Sequence, residues 1–375
     1  MALTGLPFLV VLIGAAVVLI GATMLLWNRW PWPWAFPARV LCLLLLMAAG
    51  AVLAADVVNR EYGFYTSFDD LLGRVPVQGT IVSAAGPSAA GGGGGWHVLY
   101  RSGGAWTAQA SDGAGDARGR VIQVWLAGAR SGVRRHALVY LPAAYFQPSQ
   151  AGHRFPVIEL FHGYPGTPFN WTNQMHLAQT LDAEIAAGRM PPVIAVAPSD
   201  NDPGHDSECV DAVWGQEDET YLAIDVPADI QRDFRALDTP RAWATLGYST
   251  GGFCAVNIAL HHPDRYAAAA SLAGYYTAIV DGSTGDLYLG HTLVRRWSSP
   301  QWEVAHQPAA MALYLVASRG DPQALWAMAS MRRAAHNRWP LVTVTLPAGG
   351  HNFHVWYTAS QAAFEWLGAH LPAPG

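Results

Sequence analysis

Residues 242–254 read AWATLGYSTGGFC, and this stretch decides the fold. The β-forming run 242–246 predicts a strand, and the alanine-rich residues that follow position 251 predict a helix. Between them, residues 247–251 have the pattern Gly-x-Ser-x-Gly, whose glycines let backbone and helix approach where a Cβ would clash. The stretch predicts a sharp strand–turn–helix elbow that exposes Ser249 as a nucleophile. The alternative is a structural glycine-rich turn with a bystander serine.

Strand and helix patterns alternate on both sides of this elbow. The predicted strands are 156–160, 193–197, 242–246, 267–272, 312–316 and 341–346. The predicted helices lie near 175–187, 226–237, 253–261 and 323–337, with a final helix through 364. Two β-rich runs, 121–126 and 137–141, precede them and suit an antiparallel pair. This alternation predicts an α/β fold with a mostly parallel, doubly wound sheet.

A serine hydroxyl needs a base to remove its proton, and the base needs an orienting carboxylate. In the chain order Ser, Asp or Glu, His, the sequence offers Asp321 directly after the strand 312–316, and His351 after the strand 341–346. Open α/β sheets place their sites at the carboxyl ends of strands. We therefore expect Asp321 and His351 to be the acid and the base.

Other residues compete for both roles. His351 is favoured because two glycines, 349 and 350, allow a tight loop, whereas His354 would lie inside the following helix. Asp321 is favoured because its rivals do not directly follow a strand. The rival bases are His354, His336 and His306, and the rival acids are Asp286 and Glu303.

Backbone N–H donors are needed for the oxyanion, and one normally comes from the residue after the nucleophile, here Thr250. The other is expected from the loop 160–166. Pro165 has no N–H, so Tyr164 is the expected donor, with Gly163 behind it. His162 is interpreted as a brace for this loop, although a role as base stays open.

A second loop, residues 200–206, is rich in oxygen ligands but lacks the spacing of an EF-hand. We interpret it as a turn-rich loop near the site, and we expect no metal and no organic cofactor. Cys209 lies just beyond this loop, and Cys254 follows Ser249 by five residues. The two cysteines either form a disulfide that pins the loop beside the nucleophile helix or stay as buried thiols.

The N-terminus predicts a membrane hairpin. Residues 6–27 form an uncharged run long enough to cross ~30 Å of hydrocarbon, and a shorter run covers 40–55. The Trp- and Pro-rich loop between them carries Arg29 and Arg39, which place it in the cytoplasm by the positive-inside rule. The alternative is a cleaved signal peptide.

The resulting organisation has three parts. Two transmembrane helices at about 6–27 and 38–58 occupy residues 1–58, and a juxtamembrane segment with a glycine-rich linker at 86–95 occupies residues 59–95. A catalytic domain, 96–375, would lie outside the cytoplasm. The net charge of −5 and the complete lack of lysine argue against a nucleic-acid partner.

The sequence resembles the esterase D group of α/β-hydrolases, which includes feruloyl and carbohydrate esterases and the mycolyltransferases. The likeness covers roughly residues 120–370. It rests on His162-Gly163-Tyr164, on Gly-Tyr-Ser-Thr-Gly with Ala-x-x-x-Ala-x-x-His-Pro-Asp-Arg-Tyr at 255–266, and on Gly-Gly-His-Asn-Phe-x-x-Trp at 349–356. The resemblance implies an α/β-hydrolase fold with Ser249, Asp321 and His351 as its triad and Tyr164 and Thr250 as oxyanion donors. The mycolyltransferases have Glu in the place of Asp321.

Together these features predict a membrane-anchored serine esterase. Its expected substrate is a carboxylic ester, in the form of a lipid or an acylated sugar. One alternative is a cell-envelope acyltransferase with the same triad, and a second is a catalytically inactive surface-binding module. The aromatic-rich segment 275–310 is interpreted either as a cap over the site or as ordinary surface packing.

Overall fold

The computed structural model describes residues 3–62, 64–72, 80–82, 98–100, 118–201, 204–239 and 241–375. The α-helices are α1 Leu6–Leu26, α2 Ala35–Tyr62, α3 Phe68–Leu71, α4 Phe169–Asn173, α5 Leu177–Ala186, α6 Asp218–Thr220, α7 Val226–Asp233, α8 Thr250–His261, α9 Thr292–Trp297, α10 Pro300–His306, α11 Pro322–Ala335 and α12 Phe353–Gly368. The strands are β1 Thr80–Val82, β2 Val98–Tyr100, β3 Arg120–Ala127, β4 Arg134–Leu141, β5 Val157–Phe161, β6 Ile194–Pro198, β7 Trp243–Tyr248, β8 Tyr266–Leu272, β9 Ala312–Ser318 and β10 Leu341–Leu346. A π-helical turn, Tyr221–Asp225, joins α6 to α7.

The strands form one sheet in the order β1-β10-β9-β8-β7-β5-β6-β4-β3-β2. The consecutive neighbours from β6 through β5, β7, β8 and β9 to β10 are parallel. β3 and β4 form the expected antiparallel pair, and β4 is antiparallel to β6. The predicted α/β-hydrolase fold with a mostly parallel sheet is confirmed.

The central strands are apolar because helices cover the sheet. Every residue of β5, β7 and β8 is buried, as expected for parallel strands packed on both faces. The helix α8 packs on β7 and β8, and α12 packs on β8 and β9. The strand β8 reads YAAAASL, and these small side chains let the helices lie close to the sheet. The order of strands brings the carboxyl ends of β7, β9 and β10 to one edge.

The two N-terminal helices pack on each other, and most of their apolar side chains are exposed, the others being half-buried. Leu6–Leu26 has a mean hydropathy of 2.8 and Ala35–Arg60 one of 2.5, so both are long and apolar enough to cross a membrane by length and composition. The second helix begins earlier and ends later than the predicted 38–58. Pro37 lies in its first turn, where the missing N–H leaves no hydrogen bond unmade. Arg39 Nε donates to the carbonyl of Trp27 at the end of α1, at 3.1 Å.

Residues 64–72, here called the connecting segment, follow α2 and include the single turn α3. The segment turns back along the end of the hairpin. The backbone N–H of Leu3 donates to the carbonyl of Thr66 at 2.9 Å, and the side chain of Asn59 pairs with both backbone groups of Tyr65. The predicted glycine-rich linker at 86–95 lies outside the described residues.

Candidate active site

Ser249 lies at the elbow between β7 and α8 with φ of 56° and ψ of −127°. This backbone conformation is rare for a residue with a Cβ and is typical of strained functional positions. The elbow closes tightly because Gly247 has no side chain: a Cβ built there would lie 1.8 Å from the carbonyl oxygen of Gly251. The glycine pattern thus lets the chain reverse sharply enough to present the hydroxyl of Ser249.

The side chains of Ser249, His351 and Asp321 form one hydrogen-bonded chain. His351 Nε2 lies 2.8 Å from Ser249 Oγ, and His351 Nδ1 lies 2.6 Å from Asp321 Oδ2. The carboxylate is 7% exposed, whereas the imidazole is 22% exposed and so borders the solvent. This geometry can activate a hydroxyl as a nucleophile, with the imidazole as base and the carboxylate as its orienting partner.

Asp321 is positioned by the start of the helix that follows it. Its Oδ1 accepts from the backbone N–H of Ala324 at 3.1 Å, so the residue is the N-cap of α11. The turn before Asp321 is hydrogen-bonded to the loop that precedes His351: Ser318 Oγ donates to the carbonyl of Gly349 at 2.6 Å. The acid and the base are thereby held by a direct bond between their loops.

Aromatic rings support the imidazole. The ring of Trp356 meets that of His351 edge to face with centroids 4.9 Å apart, and it stacks on Tyr248 at 4.7 Å. Trp356 and Tyr248 are buried. Because edge-to-face and stacked pairs fix ring orientations, this wall limits the directions in which His351 can point.

The two predicted oxyanion donors flank Ser249. Thr250 is the first residue of α8, and Tyr164 follows Gly163, where a Cβ would lie 3.0 Å from Ser249 Cβ. Within the described part of the chain, neither backbone N–H of these two residues is hydrogen-bonded to another protein group. Both N–H groups are therefore available to an anion formed at the serine.

A buried pair, His162 and Asp200, braces the Tyr164 loop. Asp200 Oδ2 accepts from the backbone N–H of His162 at 2.7 Å, and its Oδ1 lies 3.0 Å from His162 Nε2. The other ring nitrogen, Nδ1, lies 3.0 Å from the carbonyl of Gly163. Burial lowers the pKa of His162 to about 4 and raises the pKa of Asp200 well above its usual range. The imidazole of His162 is thus engaged away from Ser249, in the bracing position that the sequence suggested.

The loop 200–209 supplies two further carboxyl groups that sequence reasoning did not single out. Asp206 Oδ2 accepts from Thr250 Oγ1 at 3.0 Å, and burial raises the pKa of Asp206. Glu208 accepts from Tyr288 Oη at 2.7 Å and from the backbone N–H of Ile279, and burial raises its pKa to about 7. The sequence signals for them were the oxygen-rich composition of residues 200–206 and the position of the loop, directly after the carboxyl end of β6.

The structure joins Cys209 to Cys254 by a disulfide bond, which links the end of this loop to α8. The third cysteine, Cys42, is free and lies in α2. Among the described residues, no cluster of three or more His, Cys, Asp or Glu side chains is arranged to hold a metal ion.

The rival acids and bases lie elsewhere in the fold. His354 is inside α12, as expected from its position, and His336 ends α11. The ring of His306 stacks on Trp302. Asp286 accepts from two backbone N–H groups of its own turn, and Glu303 lies 3.3 Å from His261.

The aromatic residues of the segment 275–310 are used mainly for packing. Tyr276 and Tyr288 are buried, and each donates its hydroxyl to a neighbouring side chain. Tyr275 stacks on Phe253, while Trp297 stacks on His261. These contacts are those of packing side chains, and a cap over the site stays a prediction.

A family model and one curated relative match the chain. A family model named Esterase and described as "Putative esterase" matches residues 128–339. An uncharacterized protein of Corynebacterium glutamicum is 29% identical over 266 residues, which cover 66% of this chain and 62% of that relative. The chain thus spans less than two thirds of the length of that protein.

Two solved structures share the fold. A ferulic acid esterase matches with a TM-score of 0.58 at 20% identity, over 68% of this chain and 100% of its own. An S-formylglutathione hydrolase from Agrobacterium tumefaciens matches with a TM-score of 0.58 at 17% identity, over 68% of this chain and 96% of its own. Identities this low establish a common fold rather than a common substrate.

Proposed function

The chain belongs to the esterase family, and from this premise we propose that it is a membrane-anchored serine hydrolase that cleaves carboxylic esters. The single observation that carries the proposal is the hydrogen-bonded chain Ser249–His351–Asp321, with both of its links at 2.8 Å or less. In an esterase fold, this arrangement at the elbow is the one that acyl transfer requires.

The geometry supports a two-step reaction through an acyl-enzyme. His351 takes the proton of Ser249 as Oγ attacks the ester carbonyl, and Asp321 holds the imidazole in the tautomer that accepts it. The backbone N–H groups of Tyr164 and Thr250 stabilise the oxyanion. His351 then gives its proton to the leaving alkoxide, and water, activated by the same imidazole, releases the acid.

The proposed topology has two membrane helices within residues 1–58, a juxtamembrane segment with its linker at 59–95, and the catalytic domain at 96–375. The loop with Arg29 and Arg39 would face the cytoplasm, and the catalytic domain would face outward. The disulfide between Cys209 and Cys254 supports the outward orientation, because disulfides persist in oxidising compartments.

A fluorophosphonate probe tests the nucleophile. We expect the wild-type protein to be labelled, Ser249→Ala to be unlabelled, and a surface control, Ser149→Ala, to be labelled like the wild type. Labelling of Ser249→Ala at the wild-type level would overturn the proposal by placing the reactive nucleophile at another residue. No labelling of the wild type would also overturn it and leave the inactive binding module as the explanation.

The final acceptor of the acyl group is tested by product analysis. A labelled acyl ester is incubated with the protein, with and without a sugar as acceptor. Release of free acid at the same rate in both cases supports hydrolysis. Transfer of the label to the sugar at the expense of free acid would assign the alternative function, a cell-envelope acyltransferase that uses the same three residues.

A further inference from the structure

The connecting segment, residues 64–72, contacts the two loops that carry the acid and the base. Asn352, which directly follows His351, donates from Nδ2 to the carbonyl of Phe64 at 2.6 Å. Thr66 lies beside Gly320, which directly precedes Asp321: a Cβ built on this glycine would come within 3.2 Å of Thr66 Cγ2. The active-site loops are therefore held by a part of the chain that precedes them by more than 250 residues.

The same segment is fixed to the end of the N-terminal hairpin. Asn59, near the end of α2, pairs with the backbone of Tyr65 at 2.9 and 2.7 Å. At the start of α1, the rings of Phe8 and Phe68 meet edge to face with centroids 5.8 Å apart. One short segment thus bonds to the hairpin on one side and to the active-site loops on the other.

The length of chain between the hairpin and the site sets an upper limit on their distance. The second candidate span ends at Arg60, and Phe64 follows it by four residues. Four extended residues cover at most about 14 Å. The headgroup layer on one side of a bilayer is roughly 5–8 Å thick. Since Phe64 bonds to the residue next to His351, the reacting ester lies close to the surface of the membrane that holds the hairpin.

Exposed apolar side chains mark the same place. In and just after α3, Phe68, Leu71 and Leu72 are 52%, 48% and 58% exposed. They follow the hairpin end directly, and Phe68 contacts a ring of α1. Apolar side chains exposed beside a membrane helix are stabilised by burial in the interface, so lipid is the partner that this surface fits.

We infer that the connecting segment seats the active site on the membrane surface, so that the protein acts on esters carried by lipids in its own bilayer. This inference rests on the proposed esterase function and adds the class of substrate. The glycine-rich run 91–95 follows Phe64, whose carbonyl accepts from Asn352. It therefore does not lengthen the chain between the hairpin and the site.

Insertions at two positions test the inference in the full-length protein reconstituted in phosphatidylcholine vesicles. One variant carries Asn59→Ala and a 20-residue Gly-Ser insert after Tyr62, which adds roughly 25 Å of flexible reach. The matched control carries Asn59→Ala and the same insert within residues 91–95. Both are assayed with 4-methylumbelliferyl oleate in the vesicles and with soluble 4-methylumbelliferyl acetate.

We expect the insert after Tyr62 to lower hydrolysis of the oleate about fivefold or more, because a longer tether dilutes the site relative to the surface. Hydrolysis of the acetate should be the same in both variants, and the control should cleave the oleate at least fivefold faster than the variant with the insert after Tyr62. Equal oleate hydrolysis in the two variants, or a parallel fall with both substrates, would overturn the inference. Absence of acetate hydrolysis in all proteins would instead contradict the proposed esterase function.

Discussion

Asp321 uses its two carboxylate oxygens for different purposes. Oδ1 caps α11 by accepting from the backbone of Ala324, while Oδ2 faces the imidazole of His351. The first contact stabilises the fold, and the second orients the proposed base. Because the two purposes depend on different properties of one side chain, substitutions can separate them.

Asp321→Asn should lower kcat by about 10³–10⁴-fold, because an amide loses the charge and stabilises the wrong imidazole tautomer. Its stability should change little, since asparagine caps helices as well as aspartate does. Asp321→Ala should lose the same activity and also about 1 kcal/mol of unfolding free energy with the cap. Ester hydrolysis and urea unfolding measure the two effects.

The prediction is that Asp321→Asn and Asp321→Ala lose the same activity but differ in their unfolding free energy. Retention of activity in Asp321→Asn would show that the base is oriented by another group. Glu303→Gln is a suitable comparison, because this carboxyl was the rival acid and lies beside His261 rather than His351. We expect it to leave kcat unchanged.

At the scale of the element, the central strand β5 buries a carboxyl group. Glu159 is fully buried and accepts from Tyr266 Oη at 2.7 Å, and burial raises its pKa to about 8. The folded state binds the proton of the Glu159 carboxyl more tightly than the unfolded chain, in which this group has a pKa near 4.5. The protonated carboxyl therefore makes its full contribution to the free energy of unfolding below pH 4.5. This contribution is lost as the pH rises through about 8.

Glu159→Gln removes this titration and keeps the size of the side chain. The unfolding free energy of the wild type should fall relative to this variant between pH 4.5 and 8, by at most about 1.4 kcal/mol per pH unit. Urea unfolding of both proteins across this pH range gives the difference between their unfolding free energies. The contributions of all other titrating groups cancel in this difference. A constant difference would show that Glu159 is ionised in the folded state.

The disulfide connects a loop to a helix that are 45 residues apart in sequence. Closing a loop of this length restricts the unfolded chain, so Cys209→Ser with Cys254→Ser should cost about 2–4 kcal/mol. Thermal unfolding without reductant should show a lower Tm for the double variant, and reductant should bring the wild type to the same value. Cys42→Ser serves as the control, and an equal effect of this change would contradict the assignment.

The sequence predicted elements whose signals are local. The alternation of strands and helices placed β5–β10 within a few residues, and the rule that sites follow strand ends selected Ser249, Asp321 and His351 as candidates that the fold brings together. Contacts between remote segments left no comparable signal. The bond from Asn352 to Phe64 joins positions 288 residues apart, and the hydroxyl of Thr250 finds Asp206 only because the sheet order places β6 near β7.

At the scale of the whole molecule, the hairpin and the hydrolase domain share one end, where the connecting segment holds them together. The chain ends of the hairpin, residue 3 and residue 62, are both at this end, and the loop with Arg29 and Arg39 is at the other. Whichever side of the membrane holds the domain, the arginine loop must lie on the opposite side if both helices span. Cysteine labelling can therefore establish the orientation from two positions.

In a Cys42→Ala background, Ser149→Cys places a thiol on the surface of the domain, and Trp32→Cys places one in the exposed loop between the helices. A membrane-impermeant maleimide added to intact cells should label the first and not the second, because the two arginines favour the cytoplasmic side for the loop. Permeabilised cells should show labelling of both. The reverse pattern would place the domain in the cytoplasm, and a mature chain that begins after α1 would show that the first helix is a cleaved signal. Labelling of Ser149→Cys alone in intact cells would place the domain in an oxidising compartment, where the disulfide between Cys209 and Cys254 can form. It would also place the active site at the outer surface of the membrane.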